Sequence, residues 1–300
     1  MTTNNGLLLI DKPRGLTSHD VVARVRRLLD ERKVGHAGTL DPMATGLLVM
    51  AVGPSTRLLR FAQAQVKRYS GTVLLGVATD SLDADGTVLE RRPVPALSHA
   101  EMTSAVASMI GPQLQTPPMV SALKVGGQRL HQLARRGVEV ERAPRPITVS
   151  EFRVSPTDDP ARWNFEVECS VGTYVRVLLS DVAQRLDTLG HLSELRRVSS
   201  GSYHVDRAVT LEALEELLAR NQSPMRVPRT FVTHLETAVV NANDEQRMRR
   251  GQQLQLASAF ESSEIAAVNE RGDLVGILER RADRWQPALV VPVEERSEQR

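Results

Sequence analysis

The sequence predicts a mixed α/β (α+β) fold in two domains. Its 300 residues exceed one average domain, and 41% hydrophobic with 25% charged residues is typical of a globular chain with a sizeable core. Strand patterns and amphipathic helix patterns are interspersed up to about residue 220. A polar, proline-containing stretch then precedes short strands joined by a tight turn. The domain boundary is therefore expected near residues 222–240.

The N-terminal segment predicts a strand, a helix, a loop and a second strand. Residues 6–11 form an apolar run that ends in a turn at residues 12–15. Ser18 is the expected N-cap of the helix. Residues 47–52 are a continuous apolar run between glycines, which predicts a fully buried strand. The buried stripe of the helix is expected to contain Val21, Val22, Val25, Leu28 and Leu29.

The loop at residues 35–46 places three glycines and one proline around Asp41. Glycine permits close backbone approach, and Pro42 restricts Asp41 to extended conformations, so the carboxylate is held by backbone geometry. An aspartate before proline in such a loop is most often a turn residue. A chemical role for Asp41 therefore depends on which other side chains join it.

Arg176 is a second candidate for a chemical role. It lies in the first turn of a predicted helix, where a cation is mildly unfavourable, so it should have an anionic partner; alternatively its side chain extends into solvent.

The remaining elements are predicted from the same patterns. They are a helix at 54–63, a strand at 67–77, a turn at 79–86, a helix capped by Ser98 and Glu101, antiparallel strands at 147–154 and 163–171, a helix at 174–189, a strand at 191–205, a helix capped by Thr210, a short helix between 242 and 251, and strands at 265–268 and 274–278.

Basic charge is concentrated in two segments although the net charge is only +2. Residues 1–60 carry nine basic against five acidic side chains, and residues 124–145 carry six against two. The second segment lies within residues 117–147, a stretch interrupted by glycine and proline residues. This stretch is predicted to be an insertion that binds an anionic partner. This distribution suits a polyanionic partner, although a solvated charged face is the alternative.

Several function classes lose support from the sequence. No apolar run is long enough to span a bilayer and the N-terminus has no signal-peptide pattern, so a cytoplasmic protein is expected. Cys169 is the only cysteine, and it is expected in the core. Histidines and carboxylates show no ligand spacing, so no metal is predicted. Glycine-rich phosphate-binding loops are missing from the sequence, which argues against a nucleotide cofactor.

Spaced motifs between Gly6 and about Tyr203 resemble the TruB family of tRNA pseudouridine synthases, which isomerise uridine 55 in the TΨC loop of tRNA. The motifs are Leu9-Ile10-Asp11-Lys12-Pro13 with Thr17-Ser18, the loop at 35–46, Lys67-Arg68-Tyr69, residues 80–86, Ser121-Ala122-Leu123-Lys124, Arg145-Pro146-Ile147, Gly172-Thr173-Tyr174-Val175-Arg176 and Leu195-Arg196-Arg197.

The resemblance implies a catalytic domain over residues 1–230 with a largely antiparallel central sheet and a cleft at its centre. Residues 117–147 correspond to a thumb-like RNA clamp, and residues 238–295 are similar to an RNA-binding PUA domain. By the same resemblance Asp41 is the catalytic aspartate, Tyr69 packs against the target base, and Arg176 pairs with Asp41. Implied substrate or RNA contacts are His36, which enters the RNA loop, Lys12 and Tyr174 near the active site, Asp83, Lys124 of the thumb, and Leu195 lining the pocket.

The implied reaction flips uridine out of the RNA and rearranges its glycosidic bond from N1 to C5, with no cofactor. Asp41 would act as nucleophile or as the base for the C2′ proton, and both roles need a carboxylate. The expected partner is the T-arm stem-loop of tRNA, bound by a monomer without a metal. The alternatives are a non-catalytic RNA-binding or tRNA-folding chaperone that uses the same cleft, and a synthase that acts on another RNA.

Overall fold

The computed structural model describes residues 4–63, 66–121, 123–125, 127–130, 133, 136–256 and 260–292. Its α-helices with described bounds are α1 (Ser18–Leu29), α2 (Leu59–Gln63), α3 (His99–Ala107), α4 (Val175–Arg185), α5 (Leu211–Ala219) and α6 (Ala242–Arg249). Its strands are β1 (Gly6–Lys12), β2 (Val34–His36), β3 (Thr45–Val52), β4 (Lys67–Leu75), β5 (Val77–Thr79), β6 (Val88–Arg91), β7 (Gly111–Gln115), β8 (Lys124–Val125), β9 (Gln128–Arg129), β10 (Arg145–Pro156), β11 (Arg162–Cys169), β12 (Gly190–Ser200), β13 (Tyr203–His204), β14 (Thr237–Val239), β15 (Glu264–Val268), β16 (Leu274–Arg281) and β17 (Arg284–Val290).

A nine-stranded sheet dominates the first part of the chain. Seven strands follow the order β1-β3-β12-β4-β11-β10-β7, with β2 paired to β3 and β13 paired to β12. Among these described strands, every pairing is antiparallel except that of β3 with β12. The mixed α/β class and the largely antiparallel central sheet are therefore confirmed.

Helix α1 packs one face of this sheet as its apolar stripe predicts. Val21, Val22 and Val25 are buried against residues of β1, β3 and α5. The predicted N-cap was wrong by one residue: Thr17 caps the helix, and its side chain accepts a hydrogen bond from the Asp20 amide. Ser18 is instead the first helical residue, and its hydroxyl turns towards the loop that carries Asp41.

Other helix and strand predictions hold with shifted ends. The capping box of Ser98 and Glu101 is present at α3. The predicted helix over 174–189 ends at Arg185, because the chain reverses through Asp187 in the left-handed region (φ 53°). Cys169 is fully buried on β11, as expected of a core residue. Among the described residues, no helix is both long and apolar enough to cross a membrane.

The C-terminal part forms a four-stranded sheet in the order β14-β15-β16-β17. Its hairpin β15–β16 matches the predicted strands, whereas β14 and β17 were missed because each is short or interrupted by polar residues. One face of this sheet shares a hydrophobic cluster with the first part: Ile277 and Leu289 belong to the same buried cluster as Leu58 and Phe231. The small β module is therefore packed against the larger sheet.

Candidate active site

The Asp41 loop connects β2 to β3 at the point where β3 meets β12. Gly46 pairs with Arg197 in the one parallel pairing among the described strands of the large sheet. Gly46 has φ 96°, and a Cβ at this position would lie 2.4 Å from the Arg197 carbonyl oxygen. Only glycine fits this close approach. The end of the loop is thus fixed against the centre of the sheet.

Apolar residues anchor the loop on both sides of Asp41. Leu40, Met43 and Ala44 are at most 3% exposed and join the cluster formed by β4, β10, β11 and α4. Burying Leu40 and Met43 contributes about 1.5–3 kcal/mol each. Asp41 lies between these anchors and keeps 36% of its side chain exposed. Its carboxylate is therefore accessible to solvent on a rigid support.

Three buried side chains bind the loop's backbone. The Ser18 hydroxyl accepts from the Leu40 amide (2.8 Å) and donates to the Leu40 carbonyl (3.1 Å). The Lys12 ammonium donates to the carbonyls of Pro13, Leu16 and Pro42 at 2.8, 2.7 and 3.3 Å. Arg197 donates to the carbonyls of Gly38, Thr39 and Leu47 at 3.1, 3.3 and 2.7 Å. These bonds satisfy the polar backbone of an irregular buried segment.

Replacing Ser18 by alanine should lower the free energy of unfolding by about 1–3 kcal/mol, because two buried backbone groups of Leu40 lose their partner. Turnover should fall further than this loss of stability explains, since Leu40 precedes Asp41. Thr17→Ala is the matched control: it removes the cap of the same helix, at about 1 kcal/mol, without touching the loop. Stability of the two variants is measured by urea denaturation. Equal turnover in the two variants would contradict a positioning role for Ser18.

Arg176 bridges two carboxylates. Its Nε lies 2.9 Å from Oδ2 of Asp41, and its Nη1 lies 3.5 Å from Oδ2 of Asp83. Arg176 is only 2% exposed and Asp83 is also buried, whereas Asp41 is partly exposed to solvent. The expected pairing of Arg176 with Asp41 is confirmed. The alternative, in which Arg176 extends into solvent, is wrong.

Arg176 also donates hydrogen bonds to two backbone carbonyls. Arg176 donates to the carbonyls of Ser81 (2.6 Å) and Val120 (2.9 Å). It thereby joins the Asp41 loop, the turn at 79–86 and the base of the 117–147 insertion. Burial raises the pKa of Asp83, while the Ser81 hydroxyl and Arg176 act in the opposite direction. Arg176 thus favours the charged form of Asp83 against the effect of burial.

Tyr69 and Leu195 lie together beside the loop. They come from the neighbouring strands β4 and β12 and belong to the same buried cluster as Leu40 and Met43. Burial raises the pKa of the Tyr69 hydroxyl, while the Arg197 guanidinium acts in the opposite direction. The phenol therefore stays protonated at neutral pH. An aromatic ring and an aliphatic side chain next to Asp41 form a surface suited to one planar base.

Tyr174 and His36 border the same region. Tyr174 is the N-cap residue of α4, and its backbone exchanges two hydrogen bonds with the side-chain amide of Gln115, at 2.8 and 3.1 Å. His36 ends β2 half-buried, and its Nδ1 accepts from the Gly38 amide at 3.3 Å. Burial and the nearby charge of Arg197 lower the pKa of His36. The imidazole is therefore neutral at pH 7, which favours stacking or hydrogen bonding over charge pairing.

Two of the expected RNA contacts have different surroundings. Lys12 is near Asp41, as expected, but it is fully buried and faces backbone carbonyls, so a contact with substrate does not fit its position. Asp83 is 5% exposed and pairs with Arg176, so a direct contact with RNA does not fit its position either. The backbone of Lys124 pairs with Arg129 in the β8–β9 hairpin, whereas its side chain lies outside the described part of the structure.

Sequence reasoning assigned no role to Lys67 or Arg197 and gave Ser18 only that of a helix cap. All three are buried beside the loop. A usable signal existed for two of them, because side chains two residues apart on a strand share a face. Lys67 is two residues before Tyr69 on β4, and Arg197 is two residues after Leu195 on β12. Both cations could therefore have been placed on the face of the candidate site.

Comparison with protein families agrees with this geometry. The family model described as "TruB family pseudouridylate synthase (N terminal domain)" matches residues 26–175. The model described as "tRNA pseudouridylate synthase B C-terminal domain" matches residues 176–240. The first match includes Asp41 and Tyr69, and the second begins at Arg176.

Comparison with individual proteins gives the same result. The tRNA pseudouridine synthase B of Nocardia farcinica (strain IFM 10152) is 41% identical over 289 residues, covering 95% of this chain and 93% of that protein. That of Opitutus terrae is 48% identical over 213 residues, covering 71% and 88%.

Among solved structures, the fold is shared with the crystal structure of a Cbf5-Nop10-Gar1 complex (TM-score 0.72, 22% identity, 97% of this chain and 84% of that chain). It is also shared with an H/ACA RNP bound to a substrate RNA containing 2'-deoxyuridine (TM-score 0.73, 19% identity, 97% and 86%). The structures indicate the fold, and the family models with the curated relatives show that this chain belongs to the TruB family of pseudouridylate synthases.

Proposed function

We propose that this protein converts uridine to pseudouridine in the TΨC loop of tRNA, at position 55. The observation that carries the proposal is the pairing of Asp41 with Arg176: a carboxylate that is accessible to solvent is held by a buried guanidinium at 2.9 Å. Membership of the TruB family and relatives named tRNA pseudouridine synthase B support the reaction and the class of RNA.

The arrangement suits the chemistry of this isomerisation. The reaction breaks the N1–C1′ bond, rotates the uracil, forms the C5–C1′ bond and moves the C5 proton away, without net redox change or hydrolysis. A carboxylate beside the sugar serves as nucleophile at C1′ or as base for the C2′ proton. Asp41 has the exposure and the rigid support that either role requires, and the mechanism uses no cofactor.

The base must leave the RNA stack to reach Asp41, which costs on the order of a few kcal/mol. Tyr69 and Leu195 provide an apolar surface on which the flipped uracil packs. His36 lies at the loop's edge, where it replaces the displaced base within the RNA. Residues 117–147 extend from the site through Val120, and we assign them as the thumb that holds the T-arm, with Lys124 among its RNA contacts.

We further assign residues 1–230 as the catalytic domain and residues 238–295 as a PUA-like RNA-binding module. The assignment is supported by the separate four-stranded sheet, whose β14 begins at Thr237. The shared hydrophobic cluster holds this module at a fixed position beside the large sheet. We assign the active unit as a monomer.

Incubation with an unmodified tRNA transcript tests the function. Pseudouridine, mapped by carbodiimide probing and primer extension, should form at position 55 and reach one equivalent per tRNA. A transcript with cytidine at position 55 should remain unmodified, and an isolated T-arm stem-loop should be a substrate because recognition of a folded loop suffices. Binding without any pseudouridine would instead favour an RNA-folding protein, and modification only of other RNAs would contradict the tRNA assignment.

A further inference from the structure

Four buried cations surround the Asp41 loop, and three of them have their acceptors within the protein. Lys12 donates to three backbone carbonyls. Arg176 is bound by two carboxylates and two carbonyls. Arg197 donates to three carbonyls. Each of these three side chains therefore has hydrogen-bond acceptors within the protein.

Lys67, at the start of β4, is the exception. It is 8% exposed, and within the described residues its ammonium has no hydrogen-bond acceptor and no ion-pair partner. Proteins rarely bury a charge unless it is paired, because removing the charge from water is costly. An unpaired ammonium on a largely buried lysine, beside a candidate active site, thus points to an anion that is supplied from outside.

The surroundings of Lys67 are positive or neutral. A Cβ placed on Gly38 would lie 3.0 Å from the Lys67 Nζ and 3.6 Å from an Arg197 Nη, so both cations border the same side of Gly38. Burial raises the pKa of Cys169 to about 11, which keeps this neighbouring thiol uncharged. Burial, and then the charge of Arg197, lower the pKa of Lys67 to about 8, which still leaves a predominantly protonated ammonium at pH 7.

This cationic pair lies at the edge of the loop that faces RNA in the proposed function. The charges of Arg197 and Lys67 both act on the half-buried His36. Gly38 has no side chain, so nothing from this residue obstructs the Lys67 ammonium, and Thr39 beyond it is exposed. An anion entering beside Gly38 would therefore meet both cations and lie next to His36.

We propose that Lys67, supported by Arg197, binds one backbone phosphate of the RNA next to the flipped nucleotide, at the position of Gly38. The anion is a phosphodiester, because a protein that binds folded RNA meets this group at every nucleotide. The proposal rests on the proposed function in that the bound polymer is tRNA.

The first experiment compares Lys67→Met with wild type and with Lys33→Met, which removes the same charge from an exposed position. Affinity for a T-arm stem-loop is measured at several salt concentrations. Lys67→Met should bind about tenfold or more weakly at low salt, and its slope of log affinity against log salt should fall in magnitude by about 0.7–0.9, as for loss of one phosphate contact. An unchanged slope would overturn the proposal.

The second experiment identifies the phosphate. Stem-loops carrying a single neutral methylphosphonate at each position around the target uridine are bound to the three proteins. At one position the substitution should weaken wild type and Lys33→Met by about tenfold but leave Lys67→Met unaffected, because the charge it would pair with is already gone. The assignment to a phosphodiester would be overturned if each methylphosphonate weakened binding by Lys67→Met as much as binding by wild type. It would also be overturned if inorganic phosphate alone stabilised the wild-type protein and no such coupling to the RNA were found.

Thermal melting separates binding from a structural role. Lys67→Met should melt at the same or a higher temperature than wild type in the absence of RNA, because it removes an unpaired buried charge. A clearly lower melting temperature would show that Lys67 stabilises the fold and would overturn the proposal. Failure of the wild type to form pseudouridine would overturn the proposed function. If the wild type is active but Lys67→Met has the wild-type salt slope and the wild-type sensitivity to every methylphosphonate, only the phosphate site would be overturned.

Discussion

Asp41→Asn is expected to lower the rate of uridine isomerisation by at least about 10⁴-fold, while tRNA affinity stays within about threefold of wild type. Asparagine has the same size as aspartate, and its Oδ1 still accepts the hydrogen bond from Nε of Arg176. The variant therefore keeps the loop and its pairing but loses the negative charge. Neither nucleophilic attack nor proton removal proceeds without that charge.

Single-turnover assays on a T-arm stem-loop, with binding measured in parallel, check this expectation. Asp85→Asn is the matched control, since this carboxylate lies in the neighbouring turn and its ion-pair partner among the described residues is the exposed Arg14, at 4.0 Å. It should retain near-normal activity. Product from Asp41→Asn at a rate within about tenfold of wild type would remove Asp41 from the chemistry.

Arg176→Met is expected to abolish measurable turnover and to lower the free energy of unfolding by about 3–5 kcal/mol. The substitution leaves the buried carboxylate of Asp83 without its cation and releases Asp41 from its position. It also removes the donors to Ser81 and Val120. The variant should therefore lose both the fixed position of Asp41 and the connection between the site and the 117–147 insertion.

The double variant Arg176→Met/Asp83→Asn distinguishes the two consequences. Neutralising Asp83 should recover part of the lost stability, because the uncompensated charge is gone, but should not restore turnover. Arg185→Met is the control on the same helix, with an arginine that contacts the Met109 sulfur instead. Urea denaturation measures stability, and recovery of activity in the double variant would show that Asp41 does not need Arg176.

The loss of stability in the Arg176→Met variant should depend on pH in a defined direction. Burial already raises the pKa of Asp83, and loss of Arg176 removes an influence that lowers it. Between the unfolded value and this raised pKa, the folded state binds more protons than the unfolded state. The stability deficit of the variant should therefore shrink as pH falls through the folded pKa of Asp83, and a deficit that grows on acidification would contradict this account.

Local sequence patterns predicted most of the fold. The valine and leucine stripe of α1, the apolar run of β3 and the alternation of β10 and β11 each reflect a periodicity that depends only on neighbouring residues. The capping box at Ser98 is equally local. Predictions failed where tertiary contacts compete, as at Ser18, whose hydroxyl binds Leu40 rather than capping its own helix.

The order and spacing of motifs along the chain were sufficient to indicate the family, and with it the expected roles of Asp41, Tyr69 and Arg176. Only the folded chain decided what the buried polar groups do. Arg176 pairs with Asp83 as well as Asp41, Lys12 is bound to backbone carbonyls, and Lys67 has no acceptor within the described residues. The physical reason is that the strength of a charge interaction depends on distance and burial, which residues far apart in sequence acquire only when the strands come together.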